Sequence, residues 1–215
     1  MKKVLIIGGG GFIGSNIADY LLKNRSYKID VVDNFSRKSN LNSKFFDECI
    51  SSGRLRILHA DLTDFKNFTQ LDNNYDYVFM LAAVVGVDTV NAIPHEVIRI
   101  NSMLILNTLE WLKVAKCGRV VFSSTSETYA GTVEAFGFAV PTDENVPLTI
   151  EDVRHPRFTY AITKILGESG FISYAKQGYF EAMIVRYHNV YGPNMGFRHV
   201  IPHLVERFKN NESPF

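Results

Sequence analysis

The sequence predicts an α/β fold in which one parallel sheet is covered by helices on both faces, the doubly wound arrangement. Two observations predict it. Apolar, strand-like runs alternate along the chain with amphipathic, helix-like stretches, and short loops join them. Small and polar motifs follow several of these strands directly, which is where ligands bind in sheets of this kind.

The first element is an apolar strand over Lys2–Ile7 that runs into a glycine-rich turn, and a helix over Phe12–Lys23 follows. The turn carries Gly8, Gly11 and Gly14, and only glycine lets the chain turn this tightly and lets phosphates approach the backbone. Backbone N–H groups at a helix N-terminus bind a pyrophosphate through hydrogen bonds and the helix dipole. Glycine clusters also occur in ordinary strand-to-helix turns, so a pyrophosphate site at this turn needs support from the neighbouring sequence.

The second strand, Lys28–Val32, supplies that context because it ends at Asp33. A carboxylate roughly twenty residues after the glycine turn accepts hydrogen bonds from an adenosine ribose. It also repels a 2′-phosphate, so the sequence favours NAD over NADP. Arg37 and Lys38 follow closely and weaken this preference without reversing it. The alternative, a solvated residue at a strand end, fits the spacing less well.

Later apolar runs predict four more strands, at Leu55–His59, Tyr77–Leu81, Arg119–Phe122 and Ala182–Arg186. Amphipathic stretches predict helical structure near Asn67–Leu71, Glu96–Lys116, Tyr160–Lys176 and His199–Asn211. The motifs that come after the third, fourth and fifth strands are Asp61-Leu62, Ala82-Ala83 and Ser123-Ser124-Thr125.

The chain has 215 residues, enough for one domain and part of another. We expect a dinucleotide-binding domain over residues 1–165. Residues 166–215 are expected to begin a smaller substrate-binding lobe, with its remainder outside this sequence. The long segment Glu134–Arg157 is expected to form a specificity loop or lid.

The composition excludes several function classes. A formal net charge of +1 favours neither a nucleic-acid nor a membrane partner. The sequence has no bilayer-length apolar run and no signal-peptide pattern, and Cys49 and Cys117 lie in separate segments, so we expect free thiols in a cytoplasmic protein. His199 and His203 have metal-like spacing, but Pro202 interrupts the turn and no third ligand is apparent, so no metal site is expected.

Tyr160 and Lys164 are the candidate reactive pair. Four residues apart at the start of a helix, they share one face. An ammonium next to a phenol favours the phenolate, so we expect the pKa of Tyr160 to fall from about 10 toward neutrality, which would make it a general base. An amphipathic helix can carry this pair by chance. Together with the glycine turn and the hydroxyl cluster after the fifth strand, the pair becomes specific.

These motifs together resemble the extended short-chain dehydrogenase/reductase family, the NAD-dependent sugar-nucleotide epimerases and dehydratases, which have the Rossmann fold. The matching motifs occur in the family's order along nearly the whole chain: Gly8, Gly11 and Gly14; Asp33; Asp61-Leu62; Leu81-Ala82-Ala83; Asn101; the Ser123–Tyr129 segment; Tyr160 and Lys164; and Arg186-Tyr187-His188-Asn189-Val190-Tyr191-Gly192-Pro193. One departure is Ala130, which precedes Gly131 where the family usually has glycine directly after the tyrosine.

The resemblance implies roles for individual residues. Tyr160 would take the proton from a sugar C4 hydroxyl as hydride leaves that carbon, Thr125 would hold the same hydroxyl, and Lys164 would also bind the nicotinamide ribose. Implied NAD contacts are Gly8, Gly11, Phe12, Ile13, Gly14, Asp33, Asn34, Ser36, Arg37, Asp61, Leu62, Leu81, Ala82, Ala83, Asn101, Ser123, Tyr160, Lys164, Tyr187 and Val190. Implied contacts to a nucleotide-diphosphate sugar are Val85, Gly86, Thr125, Ser126, Asn189, His199 and Val200.

Glu127 bears on the step after C4 oxidation. The triplet Thr125-Ser126-Glu127 resembles that of GDP-mannose dehydratases and equally that of UDP-glucuronate decarboxylases. Its carboxylate could remove a C5 proton, or it could be a solvated loop residue. C4 epimerisation, 4,6-dehydration, decarboxylation and net dehydrogenation therefore remain open. A non-catalytic NAD-binding sensor or scaffold is the alternative from another class.

Relatives usually dimerise through the two helices that correspond to Glu96–Lys116 and Tyr160–Lys176. The resemblance therefore implies a homodimer.

Overall fold

A computed structural model describes residues 1–196 and 200–212. Its strands are β1 (Lys2–Ile7), β2 (Tyr27–Asp33), β3 (Leu55–His59), β4 (Asn74–Met80), β5 (Lys116–Thr125) and β6 (Glu181–Tyr187). They form one parallel sheet in the order β3-β2-β1-β4-β5-β6. The predicted doubly wound fold is confirmed.

The α-helices are α1 (Phe12–Lys23), α2 (Lys44–Ser51), α3 (Val87–Ala92), α4 (Pro94–Leu112), α5 (Ala130–Phe136), α6 (Arg157–Lys176) and α7 (Val200–Lys209). Two short 3₁₀ helices lie at Phe65–Gln70 and Ser126–Tyr129. Helices α2, α3 and α5 were not predicted. Each has only six to eight residues, too few to show a clear amphipathic period.

Apolar side chains cover both faces of the sheet. Leu5 and Ile7 of β1 belong to a core cluster that includes residues of α4 and α6. Val4 and Ile6, which alternate with them, belong to a second cluster that includes residues of α1 and α2. Because successive side chains of a strand point to opposite faces, the continuous apolar run of β1 serves both layers.

The register of the sheet sets where ligands can bind. Ile7 lies opposite Val32 on one side and Met80 on the other, and Thr125 lies opposite Tyr187. All strands are parallel, so the segments after them emerge at one edge. The predicted motifs are thus brought to the carboxyl end of the sheet.

Gly167 allows α6 to approach β5 closely. A Cβ at this position would overlap the Phe122 ring, and that ring stacks on Phe171 of the same helix with centroids 4.8 Å apart. Lys164 lies one turn earlier on α6. The close packing therefore carries the lysine over the end of β5.

The predicted domain boundary after residue 165 falls inside α6, and the division into a dinucleotide-binding domain and a substrate-binding lobe stays a prediction. The helix is continuous over Arg157–Lys176, and β6 pairs with β5 along its length. Residues 166–187 belong to the sheet and its helical layer, since β6 pairs with β5 and Phe171 of α6 stacks on Phe122. In the described part of the chain, no helix is both long and apolar enough to cross a membrane.

Candidate active site

The glycine turn between β1 and α1 leaves open space in front of the helix. Gly8 has a φ of +82°, and a Cβ there would come within 2.6 Å of the Ala82 backbone. Gly11 is the N-cap of α1, and no side chain caps the helix. A Cβ at Gly11 would meet only the Gly8 oxygen, at 3.6 Å. The uncapped N-terminus fits an anionic group such as a pyrophosphate.

Asp33 lies beside this turn. One of its carboxylate oxygens accepts from Gly10 N at 3.0 Å, and the other accepts from Phe35 N at 2.8 Å. The adjoining loop is also ordered by local hydrogen bonds, since Ser36 N donates to Asn34 Oδ1 at 3.1 Å. The carboxylate is thus held at the carboxyl end of β2, next to the predicted pyrophosphate site.

Arg37 connects the loop after β2 to the loop after β4, because its Nη2 donates to Val85 O at 2.5 Å. Gly86, the next residue, is exposed and has a φ of +109°. Sequence reasoning placed Arg37 at the cofactor and Val85 at the substrate. The structure brings the two residues into direct contact.

The loop after β3 is held by hydrogen bonds to its polar residues. Thr63 donates to Asp61 Oδ1 from its backbone at 2.9 Å and from its hydroxyl at 2.8 Å. Burial raises the pKa of Asp61, but these hydrogen bonds outweigh it and leave the pKa below its usual value. Leu62 is buried in the core. Asn107 of α4 donates to the carbonyls of Leu62 and Thr63 at 3.0 and 2.8 Å, and sequence reasoning missed this residue.

Asn101 holds the loop after β4. Its Oδ1 accepts from Val84 N at 2.7 Å, and its Nδ2 donates to Val84 O at 3.1 Å. Only 2% of this residue is exposed. It therefore orders the backbone just after the half-buried Leu81, Ala82 and Ala83, the segment predicted to face the cofactor.

Lys164 lies buried at the end of β5. Its Nζ donates to Ser123 O at 2.7 Å and approaches Ser123 Oγ at 3.4 Å. The same nitrogen lies 4.9 Å from the Phe122 ring centroid and 5.6 Å from that of Tyr160. The predicted pair is thus brought together with the hydroxyl cluster, although the ammonium bonds the strand and the Tyr160 hydroxyl makes no hydrogen bond to any described residue.

Burial dominates the charge states of this pair. It lowers the pKa of Lys164 to about 7. It raises the pKa of Tyr160 to about 12, and the nearby Glu127 carboxylate adds to the increase. The expectation that Lys164 brings the pKa of Tyr160 toward neutrality was wrong for the protein alone, because burial of the phenol and the Glu127 carboxylate both raise that pKa.

The buried lysine should make stability depend on pH. Between about pH 7 and 10.5, Lys164 is neutral when folded and protonated when unfolded, so the unfolded chain binds the extra proton. Stability then rises with pH, by up to about 1.4 kcal/mol per unit. We expect the wild-type protein to gain stability relative to Lys164→Met over this range, as measured by urea unfolding at each pH. If the free energy of unfolding of the two proteins changed with pH in the same way, the lowered pKa of Lys164 would be contradicted.

Thr125, the last residue of β5, caps the following 3₁₀ helix. Its Oγ1 accepts from Glu127 N at 3.3 Å, and its carbonyl accepts from the Thr128 hydroxyl at 2.8 Å. Ser126, between them, is half-buried. The Glu127 carboxylate pairs with Arg157 of α6 through contacts of 3.1 Å. The Glu127 side chain is thus held at the first residue of α6, three positions before Tyr160.

A buried network lies beneath this group. Glu168 accepts two hydrogen bonds from Arg186, at 2.9 and 2.7 Å, and one from the Ser124 hydroxyl. Arg186 also donates to the Tyr129 hydroxyl at 2.6 Å and to Glu144 O at 3.0 Å. It thereby ties α6, β5 and β6 to the long segment before α6. Sequence reasoning missed Glu168, although its spacing of four residues from Lys164 places both on one helix face.

The remaining predicted residues are more scattered. Phe12, Ile13, Tyr187 and Val190 line one apolar groove beside α1. Asn189 and Val200 are exposed, and His199 lies outside the described residues. Within the described ranges, no group of His, Cys, Asp and Glu side chains could hold a metal ion.

Comparison with known proteins shows the family of the chain. A family model described as the NAD dependent epimerase/dehydratase family matches residues 4–215. The chain is 35% identical over 207 residues to the UDP-N-acetyl-alpha-D-glucosaminuronate decarboxylase of Bacillus cytotoxicus, covering 95% of this chain and 60% of that protein. It is 31% identical to UDP-arabinose 4-epimerase 1 of Arabidopsis thaliana, over 88% of this chain and 43% of that one.

Solved structures show the same fold. The UDP-N-acetylglucosamine 4-epimerase of Methanobrevibacter ruminantium M1, in complex with UDP-N-acetylmuramic acid, superimposes with a TM-score of 0.81 at 28% identity. The match covers 99% of this chain and 64% of that one. The chain thus spans less than two thirds of the length of each of these three relatives.

Proposed function

Since the chain belongs to the NAD-dependent epimerase/dehydratase family, we propose that it oxidises the C4 hydroxyl of a UDP-sugar to a transient 4-keto sugar. The observation that carries this proposal is the placement of Tyr160, Lys164 and Thr125 at the end of β5. The uncapped N-terminus of α1 opens at the same edge of the sheet. The UDP moiety is proposed from the decarboxylase and the arabinose epimerase, both of which act on UDP-sugars by name.

The residues present fit NAD, which when bound supplies the hydride acceptor. The open space at Gly11 would hold the pyrophosphate, and the Asp33 carboxylate would accept from the adenosine ribose. Lys164 would reach the nicotinamide ribose from the end of β5. Asn101 and Asn107 would act indirectly, by ordering the two loops that line the cofactor.

In the proposed reaction, Tyr160 takes the proton of the C4 hydroxyl while hydride leaves C4, so that the C4–O bond becomes a carbonyl. Thr125 holds the same hydroxyl through its Oγ1. Burial keeps Tyr160 in the phenol form, so the base forms only when positive charge near its ring offsets that burial. Protonated Lys164, 5.6 Å from the ring centroid, can provide that charge.

The 4-keto sugar opens three routes to product. Returning the hydride to the opposite face of C4 gives the C4 epimer. Loss of water across C5 and C6 gives a 4-keto-5,6-ene, and returning the hydride to C6 with a proton to C5 then gives a 4-keto-6-deoxy sugar. The third route is decarboxylation of a 4-keto uronate, which is our second candidate for the function of the protein. One observation favours it: the relative at 35% identity is named a uronate decarboxylase. Net dehydrogenation would require an external acceptor for the hydride.

The proposal is tested by incubating the protein with NAD and a panel of UDP-sugars, and reading the products by mass spectrometry and NMR. An isomer of unchanged mass identifies an epimerase, loss of one water a dehydratase, and loss of one carbon dioxide a decarboxylase. Loss of two hydrogen atoms identifies a net dehydrogenase. Bound NAD without turnover of any sugar would contradict the proposal and favour the sensor or scaffold.

We further propose a homodimer formed through α4 and α6. Both helices expose apolar side chains, Ile98, Met103 and Leu106 on α4 and Leu166 and Ile172 on α6.

The cytoplasm is the proposed compartment, and the separate free thiols of Cys49 and Cys117 suit its reducing conditions.

A further inference from the structure

Arg157 lies at the candidate active site, yet the proposed C4 oxidation gives it no role. It begins α6 and precedes Tyr160 by three residues, so the two side chains share a helix face. It also pairs with Glu127, which lies two residues beyond Thr125. The Arg157–Glu127 pair therefore lies on the helix face that carries Tyr160, the group that would act at C4.

One edge of this guanidinium is open. Nε and Nη2 both reach a single oxygen, Glu127 Oε2, at 3.1 Å. Nη1 makes no hydrogen bond to any described residue, and 58% of the Arg157 side chain is exposed. The Nη1–Nη2 edge presents two parallel N–H groups, a geometry that matches a carboxylate.

Two other cations at the carboxyl ends of β5 and β6 have their donors engaged by the protein. Arg186 directs its guanidinium to Glu168, the Tyr129 hydroxyl and Glu144 O. Lys164 is buried and donates to Ser123. Arg157, in contrast, keeps donors free on the helix face that carries Tyr160.

We infer that Arg157 binds the C6 carboxylate of the substrate and selects UDP-uronates over UDP-hexoses with a neutral C6. The inference rests on the proposed function, which places the substrate's C4 at Tyr160 and hence its C5 substituent next to that residue. A carboxylate there would be repelled by Glu127 unless a cation lay beside both, whereas a hydroxymethyl group needs no cation. A uronate has no C6 hydroxyl to lose, so the products left are the C4 epimer and the decarboxylated sugar.

The test measures binding to the NAD-loaded protein by calorimetry, with UDP-glucuronate and UDP-glucose as probes. Wild type should bind UDP-glucuronate more tightly. Arg157→Gln should weaken UDP-glucuronate by about 10-fold to 100-fold and leave UDP-glucose within about 2-fold, since a charge-assisted pair is lost for one ligand only. Arg157→Lys should recover part of the loss. The matched control is Arg154→Gln, because Arg154 is 87% exposed and pairs with Asp152 instead.

Equal losses for both UDP-sugars in Arg157→Gln would overturn the inference, since Arg157 would then bind the diphosphate or only orient Glu127. Equal affinity of the wild type for the two sugars would overturn it as well. Turnover of UDP-glucose in that case would leave the proposed function standing. If the NAD-loaded protein bound neither UDP-sugar, the proposed function itself would be contradicted. Thermal unfolding of each variant shows that it is folded.

Discussion

Replacing Tyr160 with phenylalanine is expected to abolish hydride transfer and leave NAD binding largely intact. The Tyr160 hydroxyl makes no hydrogen bond to a described residue, so its removal breaks no contact within the protein. Loss of a general base typically lowers the reaction rate by roughly 10²–10⁴-fold. The measurement is the absorbance of reduced cofactor in a single turnover with the UDP-sugar identified by the product panel, alongside a titration of NAD binding.

Tyr174→Phe provides the matched control for this experiment. Tyr174 lies on the same helix and loses one surface hydrogen bond, from its hydroxyl to Glu110 at 2.8 Å. It should retain wild-type turnover. If Tyr160→Phe turned over substrate at the wild-type rate, another group would have to remove the C4 proton and the assignment would fail.

Gly14→Ala should lower the stability of the fold, whereas Gly11→Ala should lower the affinity for NAD. A Cβ at Gly14 would lie 2.6 Å from Gly9 Cα and 2.7 Å from Gly8 O, so the backbone of the turn has to move. Overpacking of this kind costs about 1–3 kcal/mol, which lowers the melting temperature by roughly 2–4 °C per kcal/mol in a chain of this size. Thermal unfolding without cofactor measures the loss.

At Gly11 the added methyl group would meet only Gly8 O at 3.6 Å, an ordinary contact. We expect Gly11→Ala to keep wild-type stability within about 0.5 kcal/mol. The methyl group would project into the space proposed for the pyrophosphate. NAD affinity should therefore fall by about tenfold or more, equivalent to about 1.4 kcal/mol. Wild-type NAD affinity in this variant would show that the pyrophosphate binds elsewhere.

Elements with strong local signals could be predicted from the sequence. The bounds of β1, β3 and α1 agree with the structure, because each combines a clear apolar period with a glycine turn or polar residues at its ends. The motifs after the strands could also be assigned to one edge, since parallel strands end there. The Tyr160–Lys164 pair is equally local, because helix geometry alone places residues four apart on one face.

Contacts between distant segments could not be predicted in this way. Arg157 meets Glu127 across thirty positions, and Arg186 meets Glu168 across eighteen. Only the packing of α6 on β5 and β6 brings these residues together. Asn107 was missed for the same reason, since its carbonyl partners lie 44 and 45 positions away.

The sequence by itself determined the doubly wound fold, the glycine turn and the reactive pair, because these depend on the order and spacing of neighbouring residues. Only the tertiary structure decided the charge states of Tyr160 and Lys164 and the contacts that leave one edge of Arg157 open. Charge states depend on burial, and burial depends on how closely α6 approaches the sheet at Gly167. Spacing along the chain carries no information about that distance.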